Sequence, residues 1–162
     1  MPGSSRVSAP VVTIVPEADR RIRELARESA DGRETGGILI GRGPNAANVI
    51  TVERAGDPGP AAKRCPDYFL RDLAHAKRLA SAAWEEDQGV WIGEWHTHPT
   101  GPTMPSARDL TTYTALLTDS ELAFSNFVSV IVVPAPCWDA ARLLVWVLGA
   151  AAGPPDSEYG RP

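Results

Sequence analysis

The chain predicts a single α/β domain, a mixed β-sheet flanked by helices, and three observations carry that expectation. Short apolar runs rich in Val and Ile alternate with segments of helical periodicity. Clusters of Gly, Pro, Asn and Asp punctuate those runs as turns. At 162 residues, with 43% hydrophobic and 22% charged content, the chain can bury one core of ordinary size.

Taken in order, residues 11–15 read as a strand, and Pro16 suits the first turn of a helix that runs from Glu17 to Glu28 with Ile22, Leu25 and Ala26 on one face. A strand over 37–41, a turn through Gly43-Pro44-Asn45 and a strand over 49–54 form a hairpin, which Gly56-Asp57-Pro58-Gly59-Pro60 ends. Phe69, Leu73, Ala76, Leu79, Ala80 and Ala83 recur at helical intervals and predict a second helix over 68–86, with His75 structural or solvated on its polar side. Residues 90–95 read as a buried strand whose alternation places Trp91 and Trp95 on one face as packing residues. A helix over 107–117 and apolar strands over 127–133 and 142–148 complete a domain of residues 10–150, between flexible ends at 1–9 and 151–162.

A net charge of −4 without a local Lys/Arg cluster argues against a nucleic-acid partner, and the pairs Arg20-Arg21 and Lys63-Arg64 read as solvated faces. Cys65 and Cys137 stand outside any C-x-x-C pattern and read as reduced thiols. The N-terminus lacks an apolar signal core and no stretch is long enough to span a bilayer, so no membrane association and a cytoplasmic location are expected.

The chemistry concentrates in Trp95-His96-Thr97-His98-Pro99, followed by Ser106 and Asp109. Residues two apart on a strand share a face, so His96 and His98 project together. Ser106-Ala107-Arg108-Asp109 has the S-x-x-D form of a helix start, which puts Asp109 in a first turn that favours an anion. Two imidazoles and one carboxylate outline a zinc site with a fourth, open position, the arrangement of a catalytic rather than a structural centre. Hydrolysis at such a centre needs a base, and the candidate is Glu34, which leads into Gly36-Gly37-Ile38-Leu39-Ile40-Gly41, where two glycines permit close backbone or substrate approach.

These residues resemble the JAMM metalloproteases, also called JAB or MPN domains, whose pattern is a Glu at a strand start, H-x-H-P, then Ser and Asp at the spacing found here. The resemblance runs from about Val11 to Leu148, and E-T-G-G-I-L-I-G with E-W-H-T-H-P looks most like small bacterial members. It implies a fold related to the cytidine deaminases, one Zn²⁺ held by His96, His98 and Asp109, a Glu34 that activates water and shuttles its proton, and a Ser106 that hydrogen-bonds the oxyanion. The deaminase signature itself, H-x-E with P-C-x-x-C, is absent, and Pro136-Cys137-Trp138-Asp139 stops short of it.

The resemblance further implies a zinc hydrolase cutting a peptide or isopeptide bond after the C-terminal Gly of a ubiquitin-like protein, beside activating and conjugating enzymes in anti-phage or cofactor pathways. Processing of a sulfur-carrier protein by the same chemistry is an alternative. A RadC-like, DNA-repair-associated protein and a non-catalytic interaction module are two others; the acidic charge and the complete residue set argue against them. Two loops are the expected substrate-binding elements: the Pro-rich run from Asp57 to Pro66, as a lid or tail-binding wall, and Thr100 to Pro105, which borders the metal. Little room remains between Leu110 and Asn126 for a large insertion that reads ubiquitin-chain linkage.

Overall fold

The computed structural model describes residues 8–149. Apart from Ser8 and Ala9, the ends expected to be flexible lie outside the described residues. The elements are β1 (Val11–Ile14), α1 (Pro16–Glu28), β2 (Gly36–Arg42), β3 (Val49–Ala55), β4 (Lys63–Cys65), β5 (Tyr68–Leu70), α2 (Leu73–Asp87), β6 (Val90–Thr97), α3 (Ala107–Thr118), β7 (Asn126–Val133) and β8 (Arg142–Gly149).

The main sheet has the order β1-β3-β2-β6-β7-β8. It is mixed, as the sequence predicts: β1 runs parallel to β3 and β6 parallel to β7, while the remaining neighbours are antiparallel. The parallel β6–β7 pair needs a crossover, and α3 supplies it. One face of the sheet packs on Ala18, Ile22, Leu25 and Ala26 of α1. The other receives Ala76 and Ala83 of α2 beside Ile38 and Ile40, and Tyr113 and Leu116 of α3 beside Phe124 and Phe127. Each fully buried aliphatic side chain in these layers contributes about 1.5–3 kcal/mol.

Two expectations fail here. The helix predicted over 68–86 begins only at Leu73, because Asp72 caps it by accepting the His75 N–H at 3.0 Å. Upstream, Tyr68–Leu70 is extended and pairs with Lys63–Cys65, a strand inside the run expected to be a loop. Phe69 is buried through strand alternation, which here coincided with a helical interval.

Trp91 and Trp95 do pack, but on opposite faces. Leu39 pairs with Gly93 whereas Ile40 pairs with Trp91, so Ile92 is an extra residue in β6. This bulge puts Ile92 and Trp95 on the α1 face and Trp91 on the other. Among the described residues no helix is long and apolar enough to cross a membrane.

Candidate metal centre

The centre forms where the C-terminal end of β6 meets the start of α3. Downstream of the bulge alternation is regular, so His96 and His98 lie on the face opposite α1 with their Nε2 atoms 3.0 Å apart. His98 continues the strand by donating its N–H to Val132 O at 2.9 Å. Each ring is oriented through its other nitrogen: His98 Nδ1 lies 2.8 Å from Pro102 O, and His96 Nδ1 lies 3.4 Å from the Tyr113 hydroxyl. A carbonyl can only accept, so His98 carries its proton on Nδ1 and keeps the Nε2 lone pair free for a cation.

Asp109 arrives through the capping box that the sequence predicts. Ser106 Oγ accepts the Asp109 N–H at 3.1 Å, and Asp109 Oδ2 accepts the Ser106 N–H at 2.7 Å. The same Oδ2 lies 3.5 Å from His96 Nε2 and 3.4 Å from His98 Nε2. Burial opposes ionisation of Asp109, but hydrogen bonds with His96 and His98 outweigh it and hold the carboxyl far below the usual carboxylate range.

Glu34 stands just before β2 and is buried beside the pair, its Oε1 3.9 Å from His98 Nε2. The next residue is clamped to β6: the Thr35 N–H donates to Thr97 Oγ1 at 2.9 Å, and the Thr97 N–H to Thr35 O at 2.8 Å. Gly36 allows that approach, because a Cβ there would sit 2.3 Å from Trp95 O. At Gly37 the close neighbour is Gly56 O, at 2.0 Å from such a Cβ, so both glycines admit the chain's own backbone. Burial pushes the Glu34 carboxyl up to about 7, against the pull of His96 and His98.

Glu34, His96 and His98 offer donor atoms within 4.8 Å of one another and can hold a metal ion. The donor set also fits a tetrahedral ion in finer detail. Bonds of about 2.0–2.2 Å at tetrahedral angles separate ligand atoms by roughly 3.3–3.6 Å, and the edges among His96 Nε2, His98 Nε2 and Asp109 Oδ2 are 3.0, 3.4 and 3.5 Å. Glu34 Oε2 is buried without a hydrogen-bond partner among the described residues, an exception to the rule that such atoms are satisfied.

With this geometry in place, the pattern of the prokaryotic homologs of the JAB domain, Prok-JAB, matches residues 16–148. The chain belongs to that family. The mixed α/β sheet flanked by helices is a JAB-like domain. The chain is 33% identical over 90 residues to a protein of Enterobacter hormaechei subsp. hoffmannii (strain UCI 50) named CD-NTase/cGAS isopeptidase, a match covering 54% of this chain and 48% of that one. It thus spans about half the length of that relative. The solution structure of protein DSY2949 from Desulfitobacterium hafniense has the same fold, with a TM-score of 0.61 at 21% identity over 86% of this chain and 85% of that one.

Within this Prok-JAB domain a cleft of about 270 Å³ opens beside Asp109, lined by Tyr68, Phe69 and Leu70 on one side and Arg108 and Thr112 on the other. Glu94 also lines it, held by Arg71 in a buried ion pair with Nε at 2.7 Å. Arg108 stacks over the Tyr68 ring at 4.4 Å. A larger depression of about 520 Å³ around Trp84, Trp91 and Phe124 holds none of the centre's donors, so the smaller cleft is the one that matters for chemistry.

The expected loops divide. Thr100 to Pro105 does border the centre, through Pro102 O on His98. In the other, Asp57 is turned away to His75, 2.9 Å from its Nε2, and Pro66 sits in the β4–β5 turn. His75 is accordingly structural. Arg64, read as part of a solvated pair, is instead tied down: its side chain is only 18% exposed, while Lys63 is exposed as expected.

Glu94, Arg64, Tyr113 and Ser129 escaped the sequence reading. Of these only Glu94 carried a signal, since it lies two before His96 on the same strand face. Ser129 Oγ lies 2.8 Å from the Tyr113 hydroxyl, which in turn faces His96 Nδ1. Tyr113→Phe removes that hydroxyl oxygen behind His96 and should weaken metal binding at the centre about 10-fold, read by competition with a chromophoric chelator. Wild-type affinity in this variant would deny Tyr113 any part in holding His96.

Proposed function

We propose that the chain is a zinc-dependent JAB-type hydrolase that cuts a peptide or isopeptide bond after the C-terminal Gly of a ubiquitin-like protein. One observation carries this reading: His96, His98 and Asp109 converge at 3.0–3.5 Å beside a buried Glu34 whose Oε2 is unpartnered among the described residues. In this assignment His96, His98 and Asp109 hold the ion, and Glu34, farther out at 3.9 Å, stays free to handle protons. When bound, zinc supplies a Lewis acid and brings the pKa of a coordinated water to about 7.

The chain's own groups do the rest. Glu34 takes the proton of the attacking water and passes it to the leaving amine. Oxygen is thereby added to the carbonyl carbon as the C–N bond breaks, and no acyl-enzyme forms. Ser106 Oγ spends a lone pair on the helix cap, which leaves its hydrogen free to donate to the developing oxyanion.

The cleft supports a tail substrate. β5 pairs with β4 alone among the strands of the described residues, so its other edge can receive an extended chain. Glycine at the end of such a tail brings the scissile carbonyl close to recessed ligands without a side chain to exclude. The name of the Enterobacter relative, an isopeptidase, supports this bond over sulfur-carrier processing by the same chemistry. Partners are then the ubiquitin-like protein and its activating and conjugating enzymes.

A fusion of a Gly-terminated ubiquitin-like tail to a reporter should be cut by the zinc-loaded protein, stopped by chelator and restored by added zinc. Chelator-insensitive cleavage, or a pure protein that cannot be loaded with stoichiometric zinc, would overturn the proposal.

A further inference from the structure

Both backbone polar groups of Glu34 are held by β4. The Glu34 N–H donates to Cys65 O at 2.8 Å, and Arg64 Nε donates to Glu34 O at 3.1 Å. The same guanidinium reaches Ser29 O at 2.9 Å, Arg33 O at 3.4 Å, and Asp31 Oδ1 and Oδ2 at 2.9 and 3.1 Å. One side chain thus gathers the connection from α1 to β2 onto a strand that belongs to the β4–β5 hairpin. From the other side Thr97 of β6 grips Thr35, so Glu34 is suspended between the rigid main sheet and the hairpin.

We propose that Arg64 is a positioning residue that sets Glu34 through β4, making the cleft-lining hairpin and the proton-handling carboxylate one mechanical unit. The proposal rests on the reading of Glu34 as the proton carrier. Its physical basis is the planar fork of arginine, which satisfies several carbonyls at once where a lysine ammonium, a point charge on a flexible stem, cannot. Without the fork, the carbonyls of Ser29, Arg33 and Glu34 lose a donor, and the segment keeps only the Cys65 contact on that side. A carboxylate displaced by 1 Å from its productive position costs on the order of 10²-fold in rate while the metal ligands remain where they are.

The hairpin wall of the cleft consists of Tyr68, Phe69 and Leu70, the strand paired directly with Arg64 and its neighbours. A tail docked along β5 therefore stiffens the element that carries Glu34. Under this arrangement substrate occupancy and placement of the base are coupled through the hairpin, with Arg64 as the link.

The test uses the full zinc-loaded chain and residue-resolved amide hydrogen exchange. Arg64→Ala should accelerate exchange at Glu34 at least about tenfold, leaving zinc stoichiometry and the β6–β7 core amides at wild-type values. On the tail fusion kcat should fall about 10²-fold at unchanged KM. Arg64→Lys keeps the charge without the fork and should give intermediate exchange and turnover; if the alanine variant fails to fold, this one decides. Wild-type protection at Glu34 in the folded variants, or acceleration spread evenly over the core, would overturn the coupling. If wild-type protein cuts no tail at all, the hydrolase reading falls on its own, and the exchange data still decide whether Arg64 positions Glu34.

Discussion

Glu34→Gln should leave zinc bound at one ion per chain and reduce turnover of a cleavable tail by about 10²- to 10⁴-fold, roughly 3–5 kcal/mol in the barrier. The amide preserves the shape of the side chain beside His98 but can neither take up a proton nor return it. The carboxylate it replaces is buried with Oε2 unpartnered among the described residues, so removing its charge relieves a desolvation cost, and the melting temperature should not fall. Loss of activity with retained metal and retained stability separates chemistry from folding. Undiminished turnover would remove Glu34 from the proton path, and loss of zinc would make it a ligand.

Asp109→Asn should act on the opposite side of that division. The anionic oxygen that meets both imidazoles at 3.4–3.5 Å becomes a neutral one, and zinc affinity should fall by more than the 10- to 100-fold that losing an outer-shell partner costs. Asp109 is also the acceptor for the Ser106 N–H in the capping box of α3, and weakening that bond should cost about 1 kcal/mol. Metal content after exhaustive dialysis and thermal unfolding with and without zinc measure the two effects separately. If Asp109→Asn kept stoichiometric zinc while Glu34→Gln lost it, the assignments of ligand and base would have to be exchanged.

The readable parts of this molecule are those fixed by short-range rules. Alternation along 96–98 delivered two imidazoles to one face, and S-x-x-D delivered a capping box with its carboxylate at the centre. The face of α1 through Ile22, Leu25 and Ala26 was equally local. What escaped depends on partners distant in sequence. Nothing near Tyr68 announces that Lys63–Cys65 will pair with it, so Phe69 and Leu73 imitate one helix although Asp72 marks where the real one starts. Arg64 looks like any surface cation until the chain brings Asp31 and three carbonyls around it. The pair Arg71–Glu94 likewise exists only once β5 and α2 have closed over β6.

The extra residue in β6 has a consequence for how this chain tolerates change in length. Because Ile92 is accommodated as a bulge, the half-strand carrying Val90 and Trp91 is out of phase with the half carrying Glu94, His96 and His98. Side chains on a strand change face with every single-residue step. Deleting Ile92 would make Ile40↔Trp91 and Leu39↔Gly93 consecutive pairs, so Trp91 and the histidines would stay on one face by plain alternation and the loss would be the packing of Ile92 in the α1 layer. One residue inserted within 90–93 would instead turn Trp91 and the histidines to opposite faces unless a further bulge absorbed it. The bulge thus makes this stretch asymmetric toward change in length: it can give up its extra residue and keep the histidines where they are, but it has no slack to accept another.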